Sequence, residues 1–440
     1  MTSAWKIDVQ WEQPLDEGGA DERNCFAAIG IQANDVWLTE GRDALAIRLR
    51  QAPLLSAYHL AEWFAWNWWR LRWEPRASGE EWRFAHKMAN IGGGYVWPNI
   101  TIFSDGERTA LIAQATKERP EAPFRYINAA AAVIPSTDFE SEIDIFLERV
   151  LGRLESMKVA NTNLARVWAD VRSERQSPEL ARVRKLEALL GKDPDESSAD
   201  LVTRLIADAG TLGIAAVEEL AADHGHLQNA SVLSALELTN IAKTSGFDAQ
   251  LASMVSAPKP SHSNDRRNQH PAWLAGARAA QALREQEHLA TGPISDPRLA
   301  EMLAVDQKAL DHRNAAPVNM SFALDEIKKQ SRIVLRSRWH DGRRFELARL
   351  LGDRLMNHEG GLFPATRALT YRQKAQRSFA AELLSPFDTV LHMLNGDFSP
   401  EKQADVAEHF GVSGITIRTQ LVNHKILERD DLDSEALAAA

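Results

Sequence analysis

Tryptophan is concentrated at one end of this chain. Ten of its 13 tryptophans lie at or before Trp97, and five of them fall within EWFAWNWWRLRWEP, residues 62–75. Each tryptophan can bury roughly 150–250 Å², so the first part of the chain needs a core of its own. We predict a helix over residues 56–74, capped by Ser56 and stopped by Pro75. Because this helix is apolar on nearly all sides, we expect strands to enclose it.

A ligand pocket is the alternative interpretation of the same aromatic stretch. Indole rings and an arginine side chain can bind an anionic or aromatic ligand through stacking and cation–π contacts. The candidate pocket residues are Trp66, Arg70, Trp73 and Trp97. The glycines of the nearby IGGGYVWPN lack the spacing and the lysine of a phosphate-binding loop, so a turn before a strand is expected there.

Alternating apolar and polar residues predict strands around the aromatic helix. The run WKIDVQW, residues 5–11, has the period of a strand with one buried face. FAAIGIQA and DALAIRLRQ continue that pattern, and Asp105-Gly106 separates two further runs as a hairpin turn would. The predicted fold class is α+β multidomain, beginning with a Trp-rich domain of strands and helices.

Changes in composition divide the rest of the chain. Helical spacing with terminal glycines runs through most of residues 136–255, for example from Pro178 to Gly191. SAPKPSHSNDRRNQHP is rich in proline, serine and charge, which is typical of a linker. The predicted parts are a Trp-rich α+β domain (1–135), a helical module (136–255), a linker (256–271), a mostly helical domain (272–428) and an acidic tail (429–440).

Charge and cysteine content bear on the environment of the protein. The formal net charge of −10 argues against a surface that coats nucleic acid everywhere, although it allows a local basic patch. The single cysteine, Cys25, cannot form an internal disulfide, which is typical of a reducing compartment. Neither a secretory signal nor an apolar run of about twenty residues is apparent. We therefore expect a cytoplasmic protein without a membrane span.

Two stretches of the last domain carry a family resemblance. They are RIVLRSRWHDGRRFELARLLGDRLM, residues 332–356, and KAQRSFAAELLSPFDTVLHML, residues 374–394. Together they resemble the ImmA/IrrE family of bacterial metallopeptidase domains, in which a strand leads into a helix with a zinc-binding His-Glu-x-x-His. The second helix matches that family through Phe379, Glu382, Leu384 and Pro386. The resemblance implies a zincin-like domain over about 270–428.

The metal motif departs from the family pattern. Where His-Glu-x-x-His is expected, the chain has Phe345, Glu346 and Arg349 at the three defining positions, and 371–378 lacks a carboxylate for a third ligand. Phenylalanine has no donor atom, and a guanidinium has no lone pair to offer a metal. We therefore predict no metal, no cofactor and no catalytic residue, with Glu346 as the one retained position.

The simpler interpretation of the predicted helix 343–356 is a role in packing. Leu347, Leu350, Leu351 and Leu355 would face the core, while Glu346, Arg349 and Asp353 would form surface pairs at helical spacing. A repurposed pocket is the alternative. The histidine clusters His224–His226 and His358–Glu359 are expected to be solvated helix ends or loops.

A DNA-binding element is a further hypothesis. QADVAEHFGVSGITIRTQLVNHKIL approximates a helix-turn-helix, although this family carries a similar helix pair as part of its fold. The segment 328–349 is rich in lysine and arginine, and the strand predicted over 332–338 places Arg332, Arg336 and Arg338 on one side. The candidate contacts are Thr416, Arg418, Thr419, Gln420 and Asn423, with Arg332, Arg336 and Arg338.

The sequence thus favours a non-catalytic binding or regulatory protein in a bacterial or mobile-element system of stress response or phage defence. A protein partner is expected, and nucleic acid is a candidate ligand of the C-terminal domain. One alternative is a transcription regulator that uses residues 403–424. Another is a metallopeptidase of the ImmA/IrrE type with a non-standard site.

Overall fold

The computed structural model describes residues 5–117, 122–227, 231–258, 270–311, 318–326, 330–357 and 360–428. The chain divides into two compact units, 1–198 and 199–440. Both units combine helices with small sheets whose strand pairings are antiparallel. The mixed α and β composition of the predicted fold class is confirmed.

The first unit contains three small sheets, which join β1-β2-β3 with β6 on β2, β10-β8-β7, and β5-β4-β9. The strands are β1 (Trp5–Trp11), β2 (Phe26–Ala33), β3 (Val36–Trp37), β4 (Gly41–Asp43), β5 (Arg48–Arg50), β6 (Leu54–Ser56), β7 (Asn99–Ser104), β8 (Arg108–Gln114), β9 (Phe124–Tyr126) and β10 (Ala130–Pro135). The helices are α1 (Ala20–Asn24), α2 (Ala57–Trp66), α3 (Trp68–Trp73), α4 (Glu80–His86), α5 (Ser136–Ser156), α6 (Asn163–Gln176) and α7 (Pro178–Leu189).

The strand and hairpin predictions for this unit are largely confirmed. Strands β1 and β2 cover the predicted runs, and β7 and β8 form the predicted hairpin, in which Gly106 has a φ of +100°. The run DALAIRLRQ is different, because only β5 is extended and residues 44–47 form a turn. Its apolar residues are exposed, so the alternation there does not mark a buried face.

The aromatic stretch forms two helices rather than the single predicted one. The side chain of Ser56 accepts a hydrogen bond from the backbone N–H of His59, as predicted for the cap. Asn67 interrupts the helix between α2 and α3, and its side-chain amide donates to the carbonyl of Trp63 at 2.9 Å. Most of the tryptophans in the stretch lie in the core of the unit: Trp63, Trp68 and Trp69 are buried and Trp73 is partly buried.

Helices after residue 135 belong to the same core. In α5 the predicted apolar stripe of Ile143, Phe146, Val150 and Leu154 is buried, and Trp168 of α6 joins it. The boundary between the two compact units lies at 198/199, which is inside the predicted helical module of residues 136–255. The predicted helical module is therefore divided between the two units, because its first helices bury their apolar faces against the Trp-rich part.

The second unit contains one four-stranded sheet in the order β11-β13-β12-β14. Its strands are β11 (Phe247–Gln250), β12 (Ser321–Glu326), β13 (Gln330–Val334) and β14 (Leu362–Ala365). Its helices are α8 (Ala199–Leu212), α9 (Ile214–Leu227), α10 (Ala235–Ser245), α11 (Ala272–Gln286), α12 (Asp296–Met302), α13 (Lys308–Asp311), α14 (His340–Met356), α15 (Tyr371–Leu384), α16 (Phe387–Leu394), α17 (Pro400–Phe410) and α18 (Gly414–Asn423).

The core of the second unit lies between this sheet and helices α11, α14 and α15. Helices α11 and α15 approach closely, because a side-chain carbon at Gly276 would overlap the carbonyl oxygen of Ala375. Gly352 of α14 likewise leaves room for the ring of Phe379. Within the described residues, no helix is long and apolar enough to cross a membrane. Most of the predicted linker and the whole predicted acidic tail lie outside the described residues.

Candidate functional site

Helix α14 carries the residues that the resemblance aligns with a metal-binding motif. Its leucines pack as predicted, since Leu347, Leu350, Leu351 and Leu355 are buried in the core of the second unit. Phe345 is partly buried and packs against the same core. The apolar face fixes the rotation of the helix and so determines where its charged residues lie.

The prediction that Glu346, Arg349 and Asp353 form surface pairs is wrong. All three residues are buried, and the segment from β14 into α15 contacts Arg349 and Asp353. Arg349 Nη2 donates to the carbonyl oxygen of Thr366 at 2.8 Å and to Oε1 of Gln373 at 2.6 Å. The helix therefore presents charge to the interior of the unit.

A second arginine lies beside Arg349. Nη2 of Arg377 donates to the carbonyl oxygens of Thr366 at 3.2 Å and Ala368 at 2.9 Å. Two guanidinium groups thus share the oxygen of Thr366. The pKa of Arg349 is lowered to about 10, mainly by burial. The pKa of Arg377 is lowered to about 9, mainly by burial and also by the charge of Arg349.

Asp353 on the same helix pairs with a third arginine. Arg372 donates to it through Nε and Nη2, each at 2.7 Å. Burial alone would lower the pKa of Arg372. The charge and the hydrogen bonds of Asp353 act in the opposite direction, and the pKa of the guanidinium is raised overall. A two-pronged geometry of this kind is the strongest form of a side-chain ion pair.

Helix α9 supplies the remaining acids. Oγ1 of Thr370 donates to Glu219 at 2.8 Å, and the backbone N–H of Arg367 donates to Asp223 at 2.7 Å. Burial raises the pKa of Glu219 to about 7, although Arg372 opposes the rise. Burial also raises the pKa of Asp223. We refer to the set Glu219, Asp223, Arg349, Asp353, Arg372 and Arg377 as the buried charge cluster.

Two donors of this cluster have no hydrogen-bond acceptor among the described residues. They are Nε of Arg349 and Nη1 of Arg372, and both atoms are buried. Unpaired buried donors are costly to the folded state. Guanidinium groups only donate hydrogen bonds, so the three arginines of the cluster can bind carbonyl oxygens and anions but cannot ligate a metal cation.

Glu346 is bound elsewhere. Its Oε2 accepts from the backbone N–H of Ser337 at 2.9 Å, and its Oε1 accepts from Nη2 of Arg336 at 3.3 Å. Both carboxylate oxygens therefore connect the start of α14 to the segment after β13.

The predicted basic stripe does not form a continuous surface. Strand β13 ends at Val334, so Arg336 and Arg338 lie beyond it and the alternation argument does not apply to them. Arg332 pairs with Asp248 across β11 and β13 at 3.0 Å, and Arg338 is exposed. The other basic residues of the segment are buried (Arg343, Arg344, Arg349) or outside the described residues (Lys328, Lys329).

Helices α17 and α18 have the predicted helix-turn-helix connection, with Gly411 at a φ of +62°. Two predicted nucleic-acid contacts on α18 are buried, however. Nε2 of Gln420 donates to the carbonyl of Ser385 at 2.9 Å, and Thr416 contacts Ser413. The other three candidates, Arg418, Thr419 and Asn423, are partly buried. On α17 the exposed residues include the acids Glu401, Asp405 and Glu408.

The four candidate pocket residues differ in burial and in their contacts. Arg70 is buried and donates to Glu74 at 2.7 Å, and Glu74 also contacts His86 at 2.8 Å. Trp66 is 53% exposed, whereas Trp97 is buried and donates to the carbonyl of Gly92. Trp73 lies under the side chains of Arg72 and Lys185. Arg70 therefore serves an internal ion pair.

Histidine placement agrees with the predicted helix end for one cluster, since His224 and His226 lie in the last turn of α9. His358 and Glu359 lie outside the described residues. In the part of the chain that the structure describes, no three His, Cys, Asp or Glu side chains are grouped to hold a metal ion.

No family model matches this chain, and neither a curated protein nor a solved structure matches it.

Sequence reasoning missed most of the buried charge cluster. Glu219 and Thr370 are 151 positions apart, and Asp223 and Arg367 are 144 apart. The one indication in the sequence was the helical spacing of Glu346, Arg349 and Asp353. That spacing places the three charges on one face of the helix, but it does not show which segment covers that face.

Proposed function

We propose that the second unit contains an ImmA/IrrE-like, zincin-like domain without a metal site, and that the protein is a non-catalytic regulator in the bacterial cytoplasm. Its setting would be a stress response or phage defence, and it would act by binding a protein partner. The observation that carries the proposal is the place of Arg349. A buried guanidinium there, bound to Thr366 and Gln373, fills the position where the resemblance expects an imidazole.

The surroundings of Glu346 support the same proposal. In a metallopeptidase of this type the glutamate would activate a metal-bound water. Here both of its oxygens accept hydrogen bonds from the protein. Phe345 packs against the core and offers no ligand atom. The residues present do not fit a zinc ion, so no step of a reaction is assigned to one.

Metal analysis with a peptidase assay tests this proposal. Purified full-length protein, dialysed against chelator and reloaded with zinc, is expected to retain well below one equivalent by mass spectrometry. Its melting temperature is expected to be unchanged by the chelator. Glu346→Gln should show the same metal content and the same background proteolysis as the native chain. Stoichiometric zinc, or proteolysis lost in Glu346→Gln, would support the alternative of a non-standard metallopeptidase.

The helix-turn-helix geometry of α17 and α18 favours DNA binding as a second candidate. Arg418 and Asn423 would be the contacts, since Gln420 and Thr416 are engaged internally. The exposed acids of α17 weigh against it, because they repel phosphate. A mobility-shift assay decides this point: DNA binding that weakens steeply with salt and is reduced in Arg418→Ala would favour the regulator of transcription.

A further inference from the structure

Arg349 and Arg377 form a pair of buried guanidinium groups without a counter-ion. Each residue is 8% exposed, and both donate to the carbonyl oxygen of Thr366. Their other acceptors are uncharged as well: the side-chain oxygens of Gln373 and Gln376 and the carbonyl oxygen of Ala368. Buried charges in proteins are normally paired with an opposite charge. This pair therefore lacks the kind of partner that its burial requires.

The acids of the buried charge cluster do not supply that partner. Asp353 already forms an ion pair with Arg372. Glu219 and Asp223 accept hydrogen bonds from other groups, and among the described residues neither forms an ion pair with Arg349 or Arg377. Burial raises the pKa of both acids, which disfavours their charged forms. The charge of the two guanidinium groups is therefore not balanced by direct contact.

A buried arginine elsewhere in the unit shows what is unusual about this pair. Arg284 is also buried, and within the described residues it donates only to carbonyl oxygens. It connects separate segments of chain, so a packing role accounts for it. Arg349 and Arg377 instead bring two like charges to the same oxygen atom, and the charge of Arg349 lowers the pKa of Arg377. Packing alone does not require two cations at one acceptor, since a neutral donor would serve.

Most of the donor capacity of the pair is unused. All hydrogen bonds that the two guanidinium groups make with the described residues run through Nη2. Each guanidinium carries five N–H donors on three nitrogens, so Nε and Nη1 have no acceptor within the described residues. Nε of Arg349 is itself buried. Water can accept hydrogen bonds here, but it cannot neutralise two positive charges, whereas an anion does both.

Charge and shape favour a carboxylate as that anion. Its two oxygens accept parallel hydrogen bonds from a planar guanidinium group. Its single negative charge is repelled less by Glu219 and Asp223 than the double charge of a phosphate would be. Because the two arginines have so little exposed surface, only the end of a ligand can reach them. A folded acidic surface is too large for that opening.

We propose that Arg349 on α14 and Arg377 on α15 form a binding site for the terminal carboxylate of a ligand. The ligand is a small carboxylic acid or the C-terminus of a peptide. Its carboxylate accepts hydrogen bonds from both guanidinium groups and relieves their mutual repulsion. The inference rests on the contacts of these two side chains, and it depends neither on the family resemblance nor on the proposed regulatory role.

Calorimetric titration of the full-length protein tests this site on the native chain. The probes are acetate, benzoate and N-acetylglycine, and each acid is compared with its primary amide at the same ionic strength. Random tripeptides with a free or an amidated C-terminus form a second set. Dialysis against chelator beforehand prevents a bound metal from holding the carboxylate. Free carboxylates should bind roughly tenfold or more tightly than the matched amides, because the amides carry no charge.

Variants connect that binding to the arginine pair. Arg377→Gln should lower the affinity by roughly tenfold or more, because one of the two charges is lost. Arg377→Lys retains the charge without the planar fork, so an intermediate affinity is expected. Lys243→Gln is the matched control, because it removes one positive charge from an exposed position on α10 of the same unit and should bind as the native chain does.

The melting temperature of each variant checks that it is folded. In Arg377→Gln the loss of repulsion between guanidinium groups offsets the lost hydrogen bond to Ala368, so this variant should remain folded. Binding by the acids, by the tripeptides or by both would support the site and identify the source of the carboxylate. Acids and peptides that bind the native chain no better than their amides would overturn the proposal without any variant. So would unchanged affinity in Arg377→Gln, or tighter binding of inorganic phosphate than of every carboxylate probe.

Discussion

Arg372 binds Asp353 through two hydrogen bonds of 2.7 Å, and this pair joins helix α15 to helix α14 inside the second unit. Asp353 is fully buried, and Asn357 donates a third hydrogen bond to it. The pair therefore links the two helices through opposite charges inside the unit. Its strength is open to direct measurement.

Asp353→Ala should destabilise the second unit by about 3–5 kcal/mol, because it leaves the buried guanidinium of Arg372 without its counter-charge. The free energy of unfolding is measured by urea denaturation. Arg372→Ala and the double variant complete a double-mutant cycle. We expect the double variant to be less destabilised than the sum of the two single variants. Additive effects would show that the pair contributes no coupling.

Glu219 should make stability depend on pH. Its pKa is about 7 in the folded chain against an ordinary value of 4.5, through burial that Arg372 only partly offsets, and Asp353 adds to the rise. Between these values the folded state binds a proton that the unfolded state has lost. Stability contributed by the protonated group is therefore fully present below pH 4.5 and lost as pH rises to about 7, by up to about 3 kcal/mol.

Glu219→Gln tests that dependence, because glutamine retains an acceptor for Thr370 and does not titrate. The free energy of unfolding of both proteins is measured at about pH 5 and about pH 8. The native chain is expected to lose stability relative to the variant as pH rises. A constant difference between the two proteins would contradict the raised pKa.

Substitutions at Arg70 and Trp66 distinguish a core role of the aromatic stretch from a ligand-binding role in the first unit. Arg70→Ala should cost about 3–5 kcal/mol of unfolding free energy, because the buried carboxylate of Glu74 loses its arginine partner. Trp66→Ala is the comparison, and we expect a change within about 0.5 kcal/mol because the side chain is largely exposed. Nearly unchanged stability in Arg70→Ala would instead favour a binding pocket.

Gly276→Ala should disrupt the packing of α11 on α15. The added carbon would overlap the backbone of Ala375, which cannot move aside as a flexible side chain can, so a loss of about 1–3 kcal/mol or more is expected. Gly210→Ala on α8 is the matched control, since open space surrounds that position. It should be neutral or stabilising by up to about 1 kcal/mol. Thermal denaturation compares the two variants, and equal melting temperatures would contradict the close approach.

Local patterns in the sequence determined several elements correctly. Ser56 caps α2, Pro178 begins α7, Gly106 turns the β7–β8 hairpin, and the apolar stripe of α5 lies in the core. Each of these features depends on residues a few positions apart. Cap chemistry, backbone freedom at a turn and the period of a helix are all present in a short stretch of chain, so the sequence alone indicates them.

The burial of Glu346, Arg349 and Asp353 was decided only by the tertiary structure. Charges spaced three and four apart have the same pattern on a surface helix and on a covered one. What differs is the covering segment, which brings Thr366 and Arg372 from elsewhere in the chain. The residue types at positions 345 and 349 are a property of the sequence, and neither a phenyl ring nor a guanidinium has a lone pair to offer a metal. The hydrogen-bond network around Arg349 and Asp353 depends on contacts between distant segments, and local spacing carries no information about those.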